Sequence, residues 1–309
     1  MSDGTVSQLP FHPDQILQWD QGYVAIGVDG EFLYLDQNLK QKGEPKKPFP
    51  SSVKKAVVVE NRLIASWIEH ELMVARIAGF DLGTEFVNGP ERGDLRSRTT
   101  IAAALHPEGT AWSHVLDAEP LAMGANKTQF AFMLWKRGLY SMGTDAGEHW
   151  RTAEPGWKEL EKLPHAEVTV EITFENDKLH VWSRGGGRIT YDSRNGRRLE
   201  SILIPFEGIL NSVYSSNGEH LLCFDSGDIV WYSNGEIRKS EPLNGSVQHA
   251  AWNEKLQHWH IAGWREECTW SMDGLQRTQL DEIPVQIVEC MDQTYVVMNN
   301  GHFVRSTLC

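Results

Sequence analysis

Runs of alternating apolar and polar residues recur along the chain, each broken by a tight polar turn and followed by a second run of the same kind. The segments 177–192, 218–233 and 257–271 share this cadence, with Leu179, Val181, Leu221, Cys223, Trp259 and Ile261 on one alternate set of positions. A period of two is the signature of a half-buried strand, so each segment predicts a β-hairpin. Four further copies fall at 21–36, 61–77, 128–141 and 293–305.

The hairpins start at spacings of roughly 36 to 50 residues, apart from one of about 67 between the second and third. A period of about 40 residues is that of a propeller blade. A short apolar run precedes most hairpins, at 16–19, 56–59, 167–172, 210–214, 247–252 and 285–290, and supplies a first strand. Asn or Asp beside Gly follows in Asn195-Gly196, Asn234-Gly235 and Asp273-Gly274, and a fourth, outer strand is expected after such a turn, as at 198–203.

The pattern therefore predicts one all-β domain over 1–309, a seven-bladed β-propeller. The chain ends at Cys309 directly after a third strand, which leaves the last blade short of an outer strand. The segment Gly4-Thr-Val-Ser-Gln-Leu9 is expected to fill that place and remove an exposed edge. The residues 83–120 read as an insertion between the second and third blades, and eight blades is the alternative should they form a sheet of their own. Only 156–163 and 99–105 have a helical look, so an α/β fold is excluded.

Twelve Trp in 309 residues fit packing between sheets, with an aromatic binding surface as the other reading. Lys and Arg number 29 against 42 Asp and Glu, a net charge of −13, which argues against nucleic acid as partner. One basic run, Lys40, Lys42, Lys46, Lys47, Lys54 and Lys55, is interrupted by Pro45, Pro48 and Pro50 and reads as a solvated linker, or else as a docking site for an acidic partner. The start lacks an apolar signal core, and no run of about 18 apolar residues exists, so a cytoplasmic protein is expected. The four cysteines contain no C-x-x-C pair, and a Cys290–Cys309 disulfide is left open.

Thr144-Asp145-Ala-Gly147-Glu-His-Trp150 resembles the Asp-box of the sialidase-type repeat, Ser-x-Asp-x-Gly-x-x-Trp, at Asp145, Gly147 and Trp150, with Gly143 in place of its Ser. The resemblance implies a structural turn between outer strands, with the Asp held by backbone donors and the Trp packed between sheets. It does not carry over the arginine triad or tyrosine nucleophile of a sialidase, since no arginine precedes Arg62. The chain is also WD-like in its blade period while lacking the recurrent Gly-His and Trp-Asp signatures.

Candidate chemistry is sparse. Alternation places His258 and His260 on one strand face, about 7 Å apart, without a visible third ligand. Cys268 reads as packed rather than nucleophilic. His106 and His114 lie near Glu108 and Asp117 in the insertion, without a diagnostic spacing. Arg92-Gly93-Asp94 is a chance tripeptide, and Gly185-Gly186-Gly187 between Arg184 and Arg188 is a hairpin turn whose amides offer an anion cradle as the alternative. No cofactor or metal is expected.

In propellers the turns between second and third strands share one face, where partners usually dock. Among these turns Arg137, Arg184, Arg188, Trp264 and Arg265 are the expected binding residues, because Arg and Trp are enriched in interface hot spots. The expected function is a non-enzymatic scaffold or subunit that binds another protein. A carbohydrate-binding or glycoside-hydrolysing propeller and a metal-dependent hydrolase are the alternatives.

Overall fold

Residues 8–97 and 104–308 are described in a computed structural model of the chain. They form seven antiparallel sheets, each built from consecutive strands paired in sequence order. The blades span 13–46, 53–116, 120–152, 169–203, 210–242, 249–279 and 284–305. Six have four strands, and the seventh has three among the described residues. The seven hairpins read from alternation are the second and third strands of these blades. No eighth sheet forms among the described residues.

Neighbouring blades meet through their flat faces, and large rings fill the gaps. Between the first two blades Phe32, Phe49, Trp67, Phe80 and Phe86 form one cluster. Trp67, Trp182, Trp259 and Trp270 are fully buried. Trp135 and Trp264, by contrast, are about half exposed, at 48% and 47%. Toward the axis the inner strands approach closely: a Cβ on Gly124 would lie 2.2 Å from the Ile172 carbonyl oxygen of the next blade.

The ring closes between the seventh and first blades. The Gln286 amide donates from Nε2 to Ile16 O and accepts at Oε1 from Ile16 N, both at 2.6 Å. Tyr23 Oη donates to Glu289 O at 2.7 Å. Leu9 is buried against Val288, Cys290 and Val297 of the last blade, and its N–H donates to Gly301 O at 2.9 Å. The equivalent bond follows the outer strand of the fourth and fifth blades, as Ile204 N to Gly186 O and Leu243 N to Gly227 O. Of the expected closing segment, Gly4 to Ser7 lies outside the described residues.

The segment 83–120 is not a spacer between blades. The third strand of the second blade, Val74–Asp81, pairs with Trp112–Leu116 as its outer strand, and the third blade starts at Pro120. The excursion is therefore 82–111, within the second blade, and alternation across it was hidden because it separates two strands that normally sit a turn apart. It is pinned to the first blade: Phe86 stacks on Tyr34 at 4.4 Å, and Gly89 N donates to Lys47 O at 2.9 Å. Beneath it Arg76 is buried, with Nε donating to Leu105 O at 2.5 Å and the guanidinium over the Phe49 ring.

Helix is short. Arg92–Ser97 is α-helical, with Leu95 buried; most of the expected 99–105 helix lies outside the described residues. The 156–163 stretch does not become an α-helix but winds through turns closed by Leu160 N to Trp157 O and Leu163 N to Leu160 O, because Trp157 and Leu160 are drawn into the core between blades three and four. The lysine run is likewise not one linker. Lys42 and Lys46 lie on the outer strand Gln41–Lys46 and Lys54 and Lys55 on the inner strand Val53–Val59, where Lys55 pairs with Glu171 at 3.8 Å.

Candidate protein-binding face

Which turns share a face is settled by their backbone bonds to the linkers between blades. Trp135 N donates to Glu119 O, Arg184 N to Val168 O, Leu280 N to Arg265 O and Asn299 N to Ile283 O, all at 2.8–2.9 Å. The second-to-third strand turns and the inter-blade linkers thus form one surface, braced by hydrogen bonds rather than left as free loops.

Several large apolar side chains meet solvent on this surface. Val28, Leu72, Met73, Trp135, Leu163, Ile209 and Trp264 are exposed on it, Leu256, Met272 and Met291 on the opposite face, and Leu199, Leu203 and Val304 on outer strands, with Val87 in the 82–111 excursion. Met73, at 90%, has nothing covering it. Scattered exposed apolar residues need no explanation, and the seven on this face make it the candidate contact surface.

Trp264 is held in place from below. Glu266, only 1% exposed, accepts from Asn244 N at 2.8 Å and Asn244 Nδ2 at 2.9 Å, fixing the linker beside it. A Cβ on Gly245 would come within 2.8 Å of the Trp264 Cβ, so glycine lets linker and turn pack directly. Arg265 is exposed and adopts φ +57°; its carbonyl accepts from Gln279 Nε2 at 2.7 Å. On the third blade Lys136 lies over the Trp135 ring, 4.9 Å from its centroid, and Arg137 Nε pairs with Asp117 at 2.9 Å.

Arg184 is exposed and lines a concavity of about 900 Å³ beside Leu163, Ile204 and Ile209. Arg188 does not reach the face. It belongs to the third strand Gly187–Asp192, only 9% exposed, where it binds Glu200 at 2.6 Å and lies over the Trp182 and Tyr232 rings between blades four and five. Strand direction explains the difference: Arg184 is in the turn, whereas Arg188 is the second residue inside the sheet. Arg137, Arg184, Trp264 and Arg265 therefore share a face but sit on three blades, and no hydrogen bond or ion pair joins them. Met73, Trp135, Leu163 and Ile209 were missed in the sequence, where an apolar residue in a turn or linker reads as a strand end.

The other candidates lie apart from this face or within the sheets, where local contacts hold them. His260 Nε2 and Glu267 Oε1 are 2.6 Å apart and buried, and the His258 ring is 6.4 Å from that of His260. Burial, then the neighbouring His260, pushes His249 down to about 4. His106 Nδ1 meets Ser113 Oγ at 2.7 Å; burial first, and then Arg76 and His114, lower its pKa. Among the described residues no group of three or more His, Cys, Asp or Glu is placed to hold a metal ion. Burial pushes the Cys268 thiol up to about 12, which leaves it protonated and unreactive at neutral pH. Cys290 is buried with Sγ donating to Gln37 O at 3.1 Å; Cys309 lies outside the described residues.

The glycine run offers no anion cradle. Gly185 N donates to Ala166 O, Gly186 N to Ser183 O and Gly187 N to Ser183 Oγ. In the turn of the third blade, Asp145 Oδ1 accepts from Gly147 N at 2.9 Å, and Trp150 donates from Nε1 to Ser193 O of the fourth blade at 2.8 Å. Asp145 thus holds its own turn and Trp150 packs between blades.

No protein-family model matches the chain, and no curated protein matches it. Solved structures do. The β-propeller domain of Cps50 (Swd1) from Myceliophteria thermophila superimposes with a TM-score of 0.68 at 11% identity, covering 97% of this chain and 98% of that one. The WD40 propeller domain of Doa1 gives 0.65 at 11% identity over 98% and 96%. BamB from Moraxella catarrhalis gives 0.56 at 11% identity over 94% and 83%. This is a β-propeller. At such identities the likeness is one of fold, and no helix among the described residues is long and apolar enough to cross a membrane.

Proposed function

We propose that this propeller is a protein-binding scaffold or subunit that receives its partner on the face carrying the second-to-third strand turns. The observation that carries this reading is the concentration of exposed Met73, Trp135, Leu163, Ile209 and Trp264 there, on a surface braced by backbone hydrogen bonds. Rigid aromatic anchors beside arginines are the residues that dominate interface energies, and a braced surface loses little entropy on binding. The WD40 likeness is in line with this reading at the level of fold analogy.

The test is stoichiometric co-purification from native extract with the intact chain and a Trp135→Ala/Trp264→Ala variant. Both rings are half exposed, so their loss leaves the fold intact. A truncated hot spot of about 2 kcal/mol or more lowers affinity at least about tenfold. The partner should be retained by a Leu256→Ala/Met272→Ala variant of the opposite face. Equal retention by both variants, or no stoichiometric partner, overturns the assignment.

A further inference from the structure

We infer that the groove between the linkers of blades three to five is the seat of a basic amphipathic helix that carries one carboxylate for Arg184. The inference rests on the proposed binding face and names what that face receives.

The groove is built by two linkers. The wide one, 153–168, brings Leu160, Leu163 and Ala166; the narrow one, 204–209, brings Ile204, Phe206 and Ile209. Leu163 and Ile209 are exposed at 56% and 50%, and Leu203 at the rim is 41% exposed. Leu160, Ala166 and Ile204 form a buried floor. At about 900 Å³ the hollow is in the size range of specific pockets, and Leu163, Ile209 and Leu203 around it face solvent.

Much of the backbone of the walls is already engaged. Ile204 N, Phe206 N, Gly185 N, Arg184 N and Leu210 N all donate within the protein. With these donors engaged, the side chains offer the groove's main contacts, and a helix that lays its apolar stripe into a groove uses them. The charges then set its polar residues. Arg184 is exposed with no ion-pair partner among the described residues, and Glu159 and Glu207, on the same lining, have none either. A guest with one carboxylate opposite Arg184 and cations opposite the two glutamates complements this lining. The net charge of −13 favours the approach of a basic guest.

The experiment selects a display library of random peptides of about 15 residues, four helical turns, against the full chain. Enriched sequences should space apolar residues at i, i+3 or i+4 and i+7, with net positive charge and one Asp or Glu. Binding of the best labelled peptide should weaken at least tenfold with Leu163→Asp or Ile209→Asp, both at exposed positions that tolerate polarity. It should weaken likewise with Arg184→Glu and recover when the peptide's carboxylate is exchanged for Lys. No enrichment, or binding indifferent to Leu163→Asp and Ile209→Asp, overturns the inference. A native partner lost with Trp135→Ala/Trp264→Ala but kept by the groove variants overturns the inference while leaving the binding face standing. Groove-dependent peptide binding with no native partner does the reverse.

Discussion

Acid should weaken this fold through His220. Its ring is 3% exposed, wedged between Trp182 at 5.3 Å, His180 at 5.8 Å and Tyr232 at 6.1 Å. Its Nδ1 is 2.8 Å from Ser215 Oγ. Burial, then the neighbouring His180, with Arg188 adding and Glu175 opposing, pushes the imidazole down from 6.5 to about 3. Below about pH 6.5 the unfolded chain takes a proton there that the folded chain refuses until about pH 3. The unfolded state then binds more protons, so stability is fully present above that window and is lost as pH falls through it. A displacement of about 3.5 pH units corresponds to about 5 kcal/mol across the window, or up to about 1.4 kcal/mol per unit. Urea midpoints of the native chain and His220→Gln, measured from pH 7 to pH 4 with m checked for constancy, isolate this contribution. The glutamine removes the titration while leaving an acceptor for Ser215. The native chain should lose stability faster than the variant by about 1.4 kcal/mol per unit in the middle of the window. Parallel pH profiles would refute the assignment of the loss to His220.

Two further substitutions probe the architecture. Gly124→Ala drives a Cβ against the Ile172 carbonyl where inner strands of adjacent blades converge, and should cost about 3 kcal/mol in urea unfolding through backbone displacement alone; a cost under about 1 kcal/mol would mean that the inner strands separate easily. Leu9→Ala empties a buried site between the chain's start and its last blade and should cost about 2 to 4 kcal/mol, with amide exchange rising first at Val296 and Val297. Exchange that rises first in other blades would show that the join is not secured by Leu9.

The blade count and the hairpins were legible because strand alternation is a local property: each hairpin places its apolar set on a period of two regardless of what it packs against. The outer strand Trp112–Leu116 was not, since an excursion of some thirty residues parts it from its partner Val74–Asp81, and pairing across such a gap leaves no local signal. The 156–163 stretch shows the opposite failure. Its Leu-Glu-Lys-Leu spacing is locally helical, yet burial of Trp157 and Leu160 between two blades outweighs helix propensity.

For the candidate site the division follows exposure. Residue type at the turns pointed to Arg137, Arg184, Trp264 and Arg265, because a turn of known position in a repeat has a known face. It misplaced Arg188, which lies four positions beyond Arg184 but inside the sheet. Whether a charged side chain at a strand end reaches solvent depends on the neighbouring blade, which comes from another part of the chain. The sequence by itself determined the repeat, the strands and the acidic balance, all carried by local pattern and composition. The tertiary structure alone decided which apolar residues stay uncovered and that two linkers enclose a groove at Arg184, because both depend on how separate blades are brought edge to edge.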